Sequence, residues 1–87
     1  MFVILVYDVN EKRVAKVLKK CRQYLNWVQN SVFEGEISDS NLAKLKMELS
    51  RITNSSEDSV IIYNLRTTRY YSRDIMGLKK GGDDNII

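Results

Sequence analysis

The fold of this chain follows from its first strand, Met1-Phe2-Val3-Ile4-Leu5-Val6-Tyr7-Asp8. Residues 2 to 7 are all apolar or aromatic, so the stretch lacks the alternation of a strand with one solvated face. Successive side chains point to opposite sides of a strand, and we therefore expect both sides of this one to be covered. Asp8 is in register with the even-numbered side chains and lies at the carboxyl end of the strand. Open α/β sheets usually bind their ligands at that end. The position of Asp8 alone is equally compatible with a carboxylate that begins a turn or caps the next helix.

Composition excludes several kinds of chemistry. The chain has 87 residues, a single cysteine and no histidine. One subunit therefore contains no Ser-His-Asp triad, no Cys-His nucleophile, no internal disulfide and no zinc site with histidine ligands. A metal site would be built from oxygen ligands, which favour Mg²⁺, Mn²⁺ or Ca²⁺. The length predicts one domain, and the lone Cys21 fits a protein of the reducing cytoplasm. The apolar first strand is too short to span a membrane, so we expect no membrane association.

The spacing of apolar residues predicts two amphipathic helices. Between Glu11 and Tyr24 they recur at the i, i+3, i+4 and i+7 positions of one buried helix face, as Val14, Val17, Leu18 and Cys21. Asn10 is a good N-cap for this helix. A second stripe follows the cap residues 38–40 and ends near residues 53–56; it consists of Leu42, Leu45, Leu49 and Ile52.

Three further stretches predict strands. Residues 26–37 are rich in aromatic and β-branched side chains and are interpreted as one strand, in which Gly35 indicates a bulge or bend. Residues 59–65 are apolar on both sides, and residues 68–76 form a weaker, polar strand. The predicted order is β-α-β-α-β-β. We interpret it as an α+β, ferredoxin-like domain over residues 1–80, an antiparallel sheet with two helices on one face.

Two strands that are apolar on both sides leave one face of such a sheet hydrophobic and uncovered. A monomer rarely exposes a patch of this kind, so we expect a homodimer packed sheet to sheet. Residues 81–87 are predicted to form a hinge at Gly81-Gly82 and a short strand, in which residues 85–87 pair with the edge of the partner's sheet.

Basic residues are concentrated in two blocks. Residues 10–23 hold six basic side chains against one acid, and residues 66–80 hold five against one, although the whole chain has a net charge of only +3. Basic side chains opposite an apolar stripe are often only a solvated face. Two such blocks, the second interleaved with Tyr70 and Tyr71, favour a surface for a polyanion. The predicted nucleic-acid contacts are Lys12, Arg13, Lys16, Lys19, Arg66, Arg69, Arg73 and Lys79.

Three motifs resemble the Cas-two family of CRISPR-associated proteins. Residues 3–10 (VILVYDVN), followed by Lys12-Arg13, resemble its N-terminal signature, residues 27–36 (WVQNSVFEGE) its second motif, and residues 58–63 (DSVIIY) its third strand. The closing sequence DNII is also similar. The chain departs from some members at Trp27, where they carry an arginine. The resemblance spans nearly the whole chain and implies a ferredoxin-like homodimer.

The resemblance implies two functions. One is a metal-dependent endonuclease acting on RNA or double-stranded DNA, with Asp8 as the catalytic residue and as the ligand of Mg²⁺ or Mn²⁺. The motif residues Tyr7, Asn10, Ser31 and Phe33 would support that site. The other is a scaffold in CRISPR adaptation, whose dimer holds double-stranded DNA for the Cas-one integrase during spacer acquisition. We favour the scaffold; the alternative is a toxin-like endoribonuclease of the related virulence-associated family.

Overall fold

A computed structural model describes residues 1–65 and 74–77 of the chain. The described part contains four strands and two helices. In chain order they are β1 (Phe2–Asp8), α1 (Glu11–Arg22), β2 (Asn26–Gln29), β3 (Val32–Glu36), α2 (Asp39–Ile52) and β4 (Ser59–Leu65). Neither helix in this part is long and apolar enough to cross a membrane.

The prediction of one strand over residues 26–37 is wrong, because the chain reverses at Asn30 and Ser31. Asn30 has a φ of 45°, in the left-handed region that asparagine tolerates better than most residues. The two-residue turn joins β2 and β3 as an antiparallel hairpin. The bulge lies in β2, between Trp27 and Gln29, whereas Gly35 keeps regular pairing with Val3. The described elements therefore follow the order β-α-β-β-α-β.

The sheet has the ferredoxin-like strand order β2-β3-β1-β4, and all three pairings are antiparallel. This confirms the predicted α+β fold class. β1 lies between β3 and β4, where it pairs along its length with both neighbours. Both ends of β1 are thereby fixed, including Asp8, which lies opposite Ser59.

The core lies between the sheet and the helices. The odd-numbered side of β1 is buried, and its Val3 and Leu5 have no exposed surface. Phe33 of β3, Val17 and Cys21 of α1, and Leu45 of α2 are equally inaccessible. Burial of each large aliphatic or aromatic side chain contributes about 1.5–3 kcal/mol to folding. Both predicted helix stripes are confirmed except at Val14, which is 38% exposed and does not belong to the core cluster.

The opposite side of the sheet is open within the part of the chain that the structure describes. Its even-numbered β1 residues, Phe2, Ile4 and Val6, are half-buried between the neighbouring strands. Across the β1–β4 ladder, Ile4 lies opposite Tyr63 and Val6 opposite Ile61. Tyr63 is 55% exposed and Ile61 is 47% exposed. We call the face formed by Ile4, Val6, Ile61 and Tyr63 the open face; within the described residues it agrees with the uncovered apolar surface that the sequence predicts.

The remaining sequence predictions concern the end of the chain. Residues 74–76 are not in a strand, contrary to the prediction for this part of residues 68–76. Residues 66–73 and 78–87 lie outside the described residues. The hinge, the short strand after it and the second basic block therefore stay predictions.

Candidate functional site

Asp8 ends β1 on the open face. It is exposed and follows Val6 on the same side of the strand. Its carboxylate makes no hydrogen bond or ion pair with any other residue in ranges 1–65 and 74–77. An exposed carboxylate beside an apolar surface is available to an external cation or to a second macromolecule.

The supporting residues Tyr7, Ser31 and Phe33 hold the strand end from the other side. Tyr7 is 4% exposed and stacks on Phe33, with ring centroids 6.2 Å apart. Its backbone N–H donates to the carbonyl oxygen of Ser31 at 3.1 Å. Burial, and to a smaller extent the neighbouring Cys21, raise the pKa of the Tyr7 hydroxyl. Tyr7 therefore points into the core, away from Asp8, and its role is to fix the backbone.

Asn10 begins α1 two residues after Asp8. Its side-chain oxygen accepts a hydrogen bond from the backbone N–H of Lys12 at 3.0 Å, as an N-cap should. Its own backbone N–H donates to Oδ1 of Asp58 at 2.9 Å. This second bond connects the β1–α1 junction to the residue that immediately precedes β4.

Asp58 accepts a bidentate ion pair from Arg13. Nε of Arg13 lies 2.6 Å from Oδ2, and Nη2 lies 3.1 Å from Oδ1. The Asp58 side chain is only 1% exposed, and that of Arg13 is 20% exposed. The hydrogen bonds from Arg13, together with those from the backbone of Asn54 and Asn10, hold the pKa of the Asp58 carboxyl well below its usual range. Glu57 also contacts Nη2 of Arg13, at 3.4 Å.

The structure distinguishes the cations of α1 by their partners. Lys12, Lys16 and Lys19 are exposed and follow one another at helical spacing along one side of the helix. Arg13 is held by Asp58, and Lys20 pairs with Glu48 of α2 at 3.1 Å. Arg22 lies over the ring of Trp27, 5.2 Å from its centroid. We call Lys12, Lys16 and Lys19 the lysine row. The predicted contacts Arg66, Arg69, Arg73 and Lys79 lie outside the described residues.

The predicted magnesium site has one candidate ligand, Asp8, among the described residues. Among residues 1–65 and 74–77, no group of three or more His, Cys, Asp or Glu side chains lies close enough to hold a metal ion. Mg²⁺ usually takes one or two carboxylates together with water and substrate phosphate. Asp8 fits the role of one such ligand, and a second copy of the chain would supply another.

Sequence analysis did not predict that Asp58 and Glu57 contact the residues that follow Asp8. Asp58 belongs to a motif that was noted only for the strand after it. Its partners Arg13 and Asn10 are 45 and 48 residues away in the chain. The only local signal was a carboxylate placed directly before an apolar strand.

The lowered pKa of Asp58 predicts how stability depends on pH. A carboxyl group whose pKa is lower in the folded state stabilises the protein above its unfolded-state pKa, about 3.9. That contribution is lost as the pH falls from there toward the folded-state pKa. We expect Asp58→Asn to unfold at lower urea concentration than the wild type at pH 7, and the difference to shrink as the pH falls below about 4. A difference between the two midpoints that stays constant over this pH range would contradict the assignment.

Known proteins resemble this chain in both sequence and fold. Residues 1–73 match the family model described as CRISPR associated protein Cas2. The chain is 53% identical over its whole length to the CRISPR-associated endoribonuclease Cas2 of Thermotoga maritima, and 51% to that of Dictyoglomus turgidum, covering all of both relatives. A crystal structure of Cas2 superposes with a TM-score of 0.84 at 45% identity, over 100% of this chain and 98% of that one. The chain belongs to the CRISPR-associated Cas2 family.

Proposed function

We propose that this protein is a double-stranded-DNA-binding homodimer that scaffolds the Cas-one integrase in CRISPR adaptation. Membership of the Cas2 family supports a role in CRISPR defence. The observation that carries the proposal is the open face, because pairing with a second copy would remove its exposed apolar side chains from water. The lysine row on the helical side of the molecule supports the binding of nucleic acid.

The dimer is supported by the chemistry of the open face. Tyr63 and Ile61 are about half exposed, at 55% and 47%, and they flank the half-buried Ile4 and Val6. Contiguous exposed apolar surface of this kind usually marks an interaction site. A two-fold axis through the face would place the same residues of both copies together. An axis that passes near the carboxyl end of β1 would also bring the two Asp8 residues together.

A charge on the open face should disrupt the dimer. We expect the wild type to sediment at twice the mass of one chain at low micromolar concentration, and Ile61→Lys to shift it toward the monomer, because the new ammonium group would be buried without a partner. Met47→Lys is the matched control, since Met47 is 48% exposed but lies on α2. A wild-type monomer, or a dimer that survives Ile61→Lys, would rule out this interface.

The lysine row supports contact with phosphates and no reading of base sequence. Its three ammonium groups lie along one side of α1 without partners among the described side chains. Cations spaced along a helix surface can neutralise successive phosphates of a duplex. Arg13 was predicted to join them, but its guanidinium is engaged by Asp58 and Glu57. The proposed contact in the described part therefore rests on Lys12, Lys16 and Lys19.

Removing the lysine row should change how DNA binding depends on salt. We expect the triple variant Lys12→Ala, Lys16→Ala and Lys19→Ala to bind random duplexes more weakly, and the slope of log K against log salt to flatten by roughly one unit per lost contact. The control carries the same loss of charge on α2, through Lys44→Ala, Lys46→Ala and Arg51→Ala. If both variants reduce the slope equally, net charge and not this row governs binding.

A metal-dependent endoribonuclease is the second candidate function. Relatives over half identical to this chain are named CRISPR-associated endoribonuclease Cas2, and Asp8 is an exposed carboxylate at a strand end. Mg²⁺ or Mn²⁺, when bound, would supply charge neutralisation at phosphate and a more acidic water. Asp8 would hold the ion, and the buried contacts of Tyr7 with Phe33 and Ser31 would keep the backbone of Asp8 in place.

Asp8→Asn separates the two functions. The substitution keeps the shape of the side chain but removes the charge that holds a cation, so we expect RNA and DNA cleavage to fall by orders of magnitude. Dimerisation and salt-sensitive DNA binding should persist, since neither uses this carboxylate. Spacer acquisition in cells is the deciding measurement. Intact acquisition supports the scaffold, whereas loss of acquisition by a variant that still dimerises and binds DNA and integrase would contradict it.

A further inference from the structure

The carboxylate of Asp58 is saturated with donors. Oδ1 accepts from the backbone N–H of Asn10 at 2.9 Å and from Nη2 of Arg13 at 3.1 Å. Oδ2 accepts from Nε of Arg13 at 2.6 Å and from the backbone N–H of Asn54 at 2.8 Å. Two of the four donors are backbone N–H groups. The carboxylate therefore holds the backbone at Asn10 and Asn54 in addition to pairing with Arg13.

Asp58 contacts the chain just after Asp8 and also lies next to the residue that pairs with Asp8. Asn10 follows Asp8 by two residues and begins α1. On the neighbouring strand, Ser59 lies opposite Asp8 and directly follows Asp58. Asp8 and Asp58 are therefore connected in two ways. One connection runs along the chain to Asn10 and through its N–H to the Asp58 carboxylate. The other runs through the strand pairing of Asp8 with Ser59.

The turn that carries Asp58 is itself closed. The backbone N–H of Asp58 donates to the carbonyl oxygen of Asn54 at 2.8 Å, while the N–H of Asn54 donates back to Oδ2. Glu57 reaches over the same junction and accepts from Nδ2 of Asn10 at 3.4 Å. The residues that follow β1 are therefore bonded to a turn that has its own internal hydrogen bonds.

We propose that Asp58 is a positioning residue for Asp8, which acts by fixing the β1–α1 junction through the backbone N–H of Asn10. Arg13 stabilises the buried charge of Asp58 and orients its carboxylate, and this is the main role of that arginine. The proposal rests on the proposed nuclease function of Asp8. It extends that function to a carboxylate that does not itself touch the substrate.

Three substitutions distinguish positioning from a merely stabilising ion pair. Asp58→Asn replaces one acceptor oxygen with a donor group. Asp58→Glu keeps the charge for Arg13 but displaces the carboxylate from the Asn10 N–H. Glu48→Gln is the matched control, because it breaks a different partly buried ion pair, between Lys20 of α1 and Glu48 of α2.

The variants are compared as intact, folded protein at a temperature where all of them remain native. Misplacing a reactive group by about 1 Å can cost about 10²-fold in rate. We expect Asp58→Asn and Asp58→Glu to lower kcat for Mg²⁺-dependent RNA cleavage by about 10²-fold, with KM nearly unchanged. Glu48→Gln should retain the wild-type kcat.

Hydrogen exchange of the Asn10 amide is the readout that does not depend on activity. We expect this amide to exchange faster in both Asp58 variants, while the amide of the core residue Leu5 keeps its protection. Wild-type kcat in Asp58→Glu, an equal loss in Glu48→Gln, or unchanged exchange at Asn10 would each overturn the proposal. If the wild type and Asp8→Asn cleave equally, the nuclease function itself fails, and Asn10 exchange alone decides whether Asp58 fixes the junction.

Discussion

β1 is paired with a strand on each edge and is apolar on each face, and the rest of the fold is arranged around this constraint. Its odd-numbered side chains, including Val3 and Leu5, have no exposed surface because both helices cover them. On its even-numbered side, Ile4 and Val6 are only half-buried among residues 1–65 and 74–77. One strand therefore contributes one face to the core of the domain and the other to the open face. Asp8 is placed at the end of that surface by the same alternation.

The junction after Asp8 shows how a small domain holds the backbone around an exposed side chain. The carboxylate of Asp8 stays exposed, while the backbone on either side is held by Tyr7 in the core and by Asn10 on Asp58. The cost of burying the Asp58 charge is offset by four hydrogen bonds, two of them from Arg13. The exposed Lys12, Lys16 and Lys19 of α1 remain for the proposed contact with phosphates.

Regular periodicity made most of the fold predictable from the sequence, and contacts between distant residues limited the rest. The stripe of Leu42, Leu45 and Leu49 indicated α2, and the apolar run of β1 indicated both a covered and an open face. The hairpin at Asn30 was missed because β-branched and aromatic residues continue on both sides of a two-residue turn. The place of Asp8 at the end of β1 was predictable from the apolar run before it. The contacts of Asp58 were not predictable, because its partners Arg13 and Asn10 are 45 and 48 residues away.

We propose that Asp8 lies where two copies of the chain meet. Crosslinking through an introduced thiol tests it directly, because the only native cysteine, Cys21, is buried and its thiol pKa is raised to about 12 by that burial. With a short bis-maleimide, Asp8→Cys should form a covalent dimer in high yield at low micromolar concentration, whereas Met47→Cys, on the helical side, should not. Efficient crosslinking through position 47 with none through position 8 would contradict the account.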